Sequence, residues 1–155
     1  MGLDVMVRAG LPVALLLLLL SAGIEDVRVR EIANWKNGLI AALAPLWWWA
    51  HGFGAGDVGA QVALAAAAFA LFAAAFRWGA MGGGDVKMIA ALALWFPLQP
   101  FAELLLAMSL TGGAVTAALL VERRWRGGEV EVPYGVAIAI AGLLALDQPL
   151  LNQIS

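Results

Sequence analysis

The sequence GGGDVK at residues 82–87 lies between two long apolar stretches and places a carboxylate, Asp85, directly after three glycines. Carboxylates are costly at membrane depth and are rarely found there without a partner or a function. Glycine has no side chain that could cover the aspartate, and it can adopt backbone angles that other residues avoid. The pattern therefore predicts that another group comes close to Asp85.

The composition of the 155-residue chain indicates a membrane protein. Hydrophobic residues make up 63% of the chain and charged residues 13%, and the mean hydropathy is +0.90. A globular domain of this size could not bury so much apolar surface, so part of its surroundings must be lipid. We therefore expect one membrane-embedded domain over residues 1–155, with the lipid bilayer as its partner.

Composition also excludes several kinds of site. The chain has no cysteine and one histidine, His51, which excludes a thiol nucleophile, a cysteine metal site and a site built from several histidines. We expect neither a metal nor a cofactor. The net charge is −2 and the sequence has no basic tract, so nothing in it points to nucleic-acid binding.

Six apolar stretches predict an all-α, polytopic membrane fold with six transmembrane helices. They lie near residues 9–24, 38–55, 58–76, 88–102, 104–121 and 132–147. Several are shorter than the ~20 residues that cross the hydrocarbon core, so flanking polar residues or a thinner bilayer must make up the difference. The break between the fourth and fifth stretches rests on Pro97, Pro100 and Glu103, since proline ends or kinks a helix.

The basic residues support this count, because all but Arg8 fall in alternate loops. The first loop holds Arg28, Arg30 and Lys36, the third holds Arg77 and Lys87, and the fifth holds Arg123, Arg124 and Arg126. The positive-inside rule then places these three loops in the cytoplasm and both termini outside it. A five-helix interpretation, with residues 88–121 as one span, would scatter the charges over both faces.

A second acidic site, Glu25-Asp26, ends the first apolar stretch. The predicted topology puts Asp26 and Asp85 on the cytoplasmic side at the same depth. Two carboxylates held close together cannot both ionise cheaply, so one keeps its proton. One can then act as a base towards water while the other donates a hydrogen bond to a substrate carbonyl. This is the chemistry of an aspartic protease, and the pair titrates jointly, so neither role is assigned to one residue.

A purely structural interpretation fits the same spacing. Asp85 could cap the fourth helix, where its charge would be favoured by the helix dipole. Asp26 could pair with Arg28 or Arg30 as a solvated charge at the membrane interface. Spacing alone does not separate this interpretation from the catalytic one.

Three motifs, in order, resemble those of a known family. GGGD within residues 82–88 has the glycine-x-glycine-aspartate form of intramembrane aspartic proteases, and its extension VKM resembles the prepilin peptidases of type IV pili and type II secretion. Residues 26–35, DVRVREIANW, are similar to that family's first catalytic aspartate followed by an isoleucine-proline-asparagine turn, with Ala33 where proline is usual. Residues 132–138, VPYGVAI, resemble its proline-tyrosine-glycine entry to the last helix. The resemblance covers residues 11–147.

The resemblance implies that Asp26 and Asp85 are the catalytic aspartates. It implies a prepilin or pseudopilin substrate, cut at the cytoplasmic face of the bacterial inner membrane, after a basic leader and before a hydrophobic helix. The longer members also methylate the new N-terminus and carry an extra N-terminal region, often with paired cysteines. This chain starts almost directly at its first helix, so it resembles the short, peptidase-only form of tight-adherence (Flp) pilus systems.

Other residues receive supporting roles as hypotheses. Gly82 and Gly84 would let the substrate backbone approach Asp85. Asn34 would cap the second helix or hydrogen-bond the site, and capping is the simpler expectation.

Charged and aromatic neighbours have two interpretations each. The cations Lys87, Arg28 and Arg30 would either lower the pKa of the aspartates or only set the topology. The last helix would begin at Pro133, Tyr134 and Gly135, with the tyrosine hydroxyl near the cytoplasmic interface.

Two functions of other classes fit part of the pattern. A small transporter could use the two carboxylates as proton relays, and it would move charge without any peptide substrate. A non-enzymatic membrane component of a pilus-assembly machine would tolerate asparagine at both positions. An archaeal preflagellin peptidase would differ from a prepilin peptidase in its substrate alone.

Overall fold

A computed structural model describes residues 3–126 and 136–145, which form six α-helices and contain no β-strand. The helices are α1 Leu3–Val29, α2 Asn34–Ala50, α3 Ala55–Arg77, α4 Gly83–Ala93, α5 Leu98–Arg126 and α6 Val136–Ala145. The predicted all-helical fold with six helices is confirmed for these residues. Three of the described helices contain segments long and apolar enough to cross a membrane, namely Met6–Val29, Ala55–Arg77 and Leu98–Ala118.

The break between α4 and α5 lies earlier than the sequence predicted. The helix α4 ends at Ala93, and α5 starts at Leu98, directly after Pro97. Pro100 lies in the first turn of α5, where a backbone N–H has no intrahelical acceptor and proline costs little. Glu103 is therefore inside α5, where its carboxylate accepts a hydrogen bond from Gln99 at 3.2 Å.

The short helix α4 is the centre of the described fold and packs against both α2 and α3. Its start is joined to α2 by the Asn37 amide, which donates to the Gly84 carbonyl at 3.0 Å. Its end is held by the Leu94 carbonyl, which accepts from the Trp48 indole at 2.8 Å and from the Gln61 amide at 3.3 Å. Carbonyls at a helix end have no intrahelical donor, so these side chains satisfy an otherwise unpaired group. The contacts make α2 parallel and α3 antiparallel to α4.

The first helix packs against α2 and α6. Gly142 of α6 lies against Leu19, so close that an added β-carbon would be 2.7 Å from its Cδ1. Gly23 lies against Ala139, and the same atom added there would be 3.1 Å from the Ala139 Cβ. Small residues allow this close approach of two helices. The ends of α1 and α3 and the starts of α2, α4 and α6 therefore share one end of the bundle, called here the acidic end.

Candidate active site

Asp85 lies in the first turn of α4 at the acidic end. Its side chain is buried, and its Oδ2 accepts the Gly82 N–H at 3.2 Å. Gly82 is the residue that precedes the helix, so the carboxylate satisfies one of the N–H groups that a helix start leaves free. The capping interpretation is thus correct in part: Asp85 supports the helix start from the third helical position.

The three glycines have ordinary backbone angles, which contradicts one sequence-based expectation. Gly82 has φ −75 and ψ 149, and the described glycines with positive φ are Gly52 and Gly79. The glycine run instead leaves room for another group to come close to the backbone. A β-carbon on Gly84 would lie 3.1 Å from the Ile32 Cβ and 3.4 Å from the Ile32 carbonyl oxygen. The group that approaches this glycine is therefore part of the chain itself, the turn between α1 and α2.

Asp26 lies near the end of α1 and is also buried. The helix ends at Val29, and Arg30 follows in the left-handed region with φ 57. Its N–H donates to the Asp26 carbonyl at 3.0 Å, which closes the last turn. Residues 30–33 then carry the chain to α2 and bring Ile32 onto Gly84.

The structure brings the segments of Asp26 and Asp85 together. The pKa of Asp85 is raised to about 6, first by burial and second by the charge of Asp26, while the hydrogen bond from the Gly82 N–H opposes this rise. The two aspartates predicted to form a pair are therefore within electrostatic reach of each other. Of the two interpretations given for the cations, the lowering of the aspartate pKa is wrong in direction for Asp85, because burial and the second carboxylate dominate.

Lys36 is not a loop residue as the sequence suggested, but lies in the first turn of α2 with 5% of its surface exposed. Its ammonium contacts the Glu25 carboxylate at 2.9 Å and donates to the Ser21 carbonyl at 3.0 Å. Glu25 in turn accepts the Ala33 N–H at 3.1 Å. The Glu25–Lys36 pair thus fastens the turn beside Asp26. Helical spacing to the buried Ile40 could have revealed Lys36 as inward-facing.

Asn34 does not cap α2, although capping was the simpler expectation. The residue before the helix is Ala33, and within the described part of the chain no side-chain hydrogen bond caps this helix start. The Asn34 Oδ1 instead accepts from the Lys87 ammonium at 2.7 Å, which links α2 to α4. The alternative role, a hydrogen bond at the site, stays a prediction, because the bond shown is to Lys87, two residues after Asp85.

The other predicted supporting residues have mixed outcomes. Arg28 and Arg30 are exposed at the acidic end. The motif residues Pro133, Tyr134 and Gly135 lie outside the described residues. Across residues 3–126 and 136–145, no three His, Cys, Asp or Glu side chains converge to hold a metal ion.

Comparison with known proteins identifies the family. The model of the type IV leader peptidase family matches residues 13–117, more than half of the chain and including both aspartates. The chain belongs to this family. A prepilin leader peptidase/N-methyltransferase from Aeromonas hydrophila is 38% identical over 66 residues, which are 43% of this chain and 22% of that relative. The match therefore spans about a fifth of the relative's length. No solved structure matches the chain.

This member of the type IV leader peptidase family departs from the resembled motif at Ala33, and the structure offers a physical reason. Ala33 has φ −59 and ψ 129, angles that proline also adopts. Proline has no N–H, whereas Ala33 uses its N–H to bind Glu25. In this chain the turn is therefore fixed by a hydrogen bond and an ion pair, which compensate for the missing ring.

We predict that Asp85→Asn stabilises the protein above pH 6. Raising the pKa from 3.8 to about 6 corresponds to about 3 kcal/mol of destabilisation, which is absent below pH 4, grows between pH 4 and 6 and is complete above pH 6. The neutral amide removes this cost, so D85N should melt at a higher temperature than wild type at pH 7.5 and equally at pH 4.

The matched control is Asp57→Asn. Asp57 accepts the Gly54 N–H at 2.9 Å at the start of α3, the same arrangement as in Asp85, but it is exposed. Thermal unfolding in micelles across pH 4–8 should show no stabilisation of D57N. If D57N and D85N showed the same change in melting temperature between pH 4 and 8, Asp85 would not be buried beside a second charge.

We predict that Lys36→Leu lowers the melting temperature of the protein, because it leaves the Glu25 carboxylate and the Ser21 carbonyl without the ammonium that binds them. The double variant E25L/K36L leaves no charge behind and should melt at a higher temperature than K36L. Adding Ala33→Pro to the double variant should stabilise it further, since the ring then fixes the turn. In wild type the same A33P change should give no gain, because it removes the hydrogen bond to Glu25. Equal melting temperatures for wild type and K36L would contradict this account.

Proposed function

We propose that this chain is an aspartic endopeptidase that removes the leader peptide of prepilins or pseudopilins at the cytoplasmic face of the bacterial inner membrane. The observation that carries the proposal is the pair Asp26 and Asp85, both buried at the acidic end and electrostatically coupled. Both lie within the stretch that matches the type IV leader peptidase family. A peptidase of this design needs no metal and no thiol.

The environment of the pair suits general acid–base catalysis. Burial and the neighbouring carboxylate both disfavour a charge on Asp85, so one proton is held between the two residues more readily than on an isolated aspartate. The ionised partner takes a proton from water, whose oxygen attacks the scissile carbonyl, and the protonated partner donates to the carbonyl oxygen. The leaving amine then receives a proton from the pair. The two residues titrate as a unit, so the roles belong to the pair.

The distribution of arginines supports a cytoplasmic location of the acidic end. Arg28 and Arg77 lie in the last turns of α1 and α3, which both end there. Basic residues are enriched on the cytoplasmic side of membrane proteins. In this orientation both termini lie outside the cytoplasm.

The proposed substrate fits the depth of the pair. A prepilin leader is basic and would stay in the cytoplasm, while the hydrophobic helix behind it would lie in the bilayer. The scissile bond between them then falls at the interface, where the acidic end is proposed to lie. The similarity to a protein named prepilin leader peptidase/N-methyltransferase supports this substrate class. Methyl transfer is not part of the proposal, and pilins of tight-adherence systems are the first substrates to test.

We predict that Asp26→Asn and Asp85→Asn each lower the rate of prepilin cleavage by about 10²–10⁴-fold, which is the typical contribution of a general acid or base. Purified protein in micelles would be incubated with a candidate prepilin, and the new N-terminus would be measured by mass spectrometry. The control variant D57N should cleave the prepilin at the wild-type rate, because Asp57 lies in the first turn of α3, at the opposite end of the bundle.

Two results would contradict the proposal. The first is cleavage at the wild-type rate by either D26N or D85N. The second is charge movement across proteoliposomes that depends on both aspartates and occurs without a peptide, which would indicate the transporter.

A further inference from the structure

A groove with a volume of about 440 Å³ lies between α2 and α3, with α4 as its floor. The floor is a single helical face, because Lys87, Ala90, Ala91 and Leu94 follow the spacing i, i+3, i+4, i+7. The wall on α2 has the same spacing from Asn34 to Ala41. The opposite wall is formed by α3. The groove is therefore shaped by three helices and follows the direction of α4 for about 10 Å, two helical turns.

The lining of this α2–α3–α4 groove changes along its length. The end next to the acidic end holds the polar residues Asn34, Asn37 and Lys87, and the rest is apolar. Ala41 and Ala90 lie in the apolar part. Residues this small allow another helix to approach closely in a membrane, where packing is the main drive for association.

Asn37 gives the polar end an unusual property. Its side chain is 4% exposed, and its amide nitrogen donates to the Gly84 carbonyl at 3.0 Å. Its Oδ1 is buried and accepts no hydrogen bond from any of the residues that the structure describes. A buried acceptor without a donor is destabilising, and such groups are rare in native structures. An occupant of the groove that supplies an N–H would remove this cost if the Asn37 side chain turns so that its oxygen faces the groove.

The first turn of an α-helix has the required donors. The first four N–H groups of a helix lack intrahelical acceptors, and inside a membrane they also lack water. A lipid acyl chain would fill the apolar part of the groove but has no donor for Asn37. An apolar helix whose first turn lies against Asn37 satisfies both parts of the lining.

We propose that the α2–α3–α4 groove binds the first two turns of the apolar helix of the peptide substrate, with the start of that helix at Asn37. This inference rests on the proposed function, since it takes a peptide with a membrane helix as the ligand. Asn37 is bonded to the carbonyl of Gly84, the residue before Asp85. The start of the bound helix is thereby held next to the carboxylate pair. The groove therefore determines how far the scissile bond lies from the start of that helix.

The first test uses single cysteines, because the natural chain contains none. Ala41→Cys and Ala42→Cys would each be introduced into the inactive D26N protein. The probe is a synthetic peptide with a basic leader, an apolar helix of ~20 residues and one cysteine in its second helical turn. Ala41 lines the groove, whereas Ala42 is exposed and is not part of its lining. Mild oxidation should join the peptide to A41C at least about tenfold more than to A42C.

Cross-linking does not require cleavage, so its failure is distinguishable from failure of the proposed function. Equal cross-linking of A41C and A42C, or none with A41C, would overturn the groove assignment while leaving the peptidase proposal intact. Protection of the A41C thiol from a small maleimide before the peptide is added would also overturn it. That result would mean that lipid or another part of this chain already fills the groove.

The second test fills the groove in the active enzyme. Ala41→Leu and Ala90→Leu should each raise KM for the full peptide by about tenfold or more, because the added side chain occupies the space of the bound helix. A shorter peptide that keeps the scissile bond but lacks the apolar helix does not use the groove. These variants should cleave it at the wild-type rate. Ala42→Leu should change neither KM for the full peptide nor the cleavage rate of the shorter one. Unchanged KM for the full peptide in A41L and A90L would overturn the proposal.

Discussion

The contact of Ile32 with Gly84 is the constraint on which the acidic end depends. The absence of a side chain at Gly84 lets the turn between α1 and α2 lie directly on the first turn of α4. Asp26 lies in the last turn of α1, just before the first of these segments, and Asp85 lies in the second, so the contact brings together two carboxylates that are far apart in the sequence. Desolvation and mutual repulsion oppose this arrangement. The surrounding packing must therefore supply the free energy that keeps the two charges close.

Two groups of contacts hold that packing in place. Beside Asp26, the Glu25–Lys36 pair fixes the turn through an ion pair and through the Ala33 N–H. On the other side, Asn37 and the Asn34–Lys87 hydrogen bond join α2 to α4. The far end of α4 is fixed by the Leu94 carbonyl and its two donors. A helix of 11 residues has little stability of its own, so these tertiary contacts explain how it can hold a catalytic group in place.

The helical fold, the family and the proximity of Asp26 to Asp85 are predictable from the sequence, because apolar length and ordered motifs are local signals. The sequence misjudged the role of the glycines, since backbone angles and the approach of Ile32 depend on the tertiary fold. The sequence places Lys36 in a loop because the residue precedes the second apolar stretch, and its partner Glu25 is recognisable only once α1 and α2 are placed together. The unsatisfied oxygen of Asn37 and the groove it lines likewise arise from three helices at once.

The central claim is that the turn carrying Ile32 lies on Gly84, and a disulfide tests it directly. The chain has no cysteine, so the I32C/G84C variant would contain two thiols and no others. The β-carbons would lie 3.1 Å apart, near the ~3.5–4.5 Å spacing found in disulfides. Mild oxidation of this variant in membranes, followed by maleimide labelling and mass measurement, should show an intramolecular disulfide in most molecules. Two free thiols in most molecules after the same treatment would contradict the account.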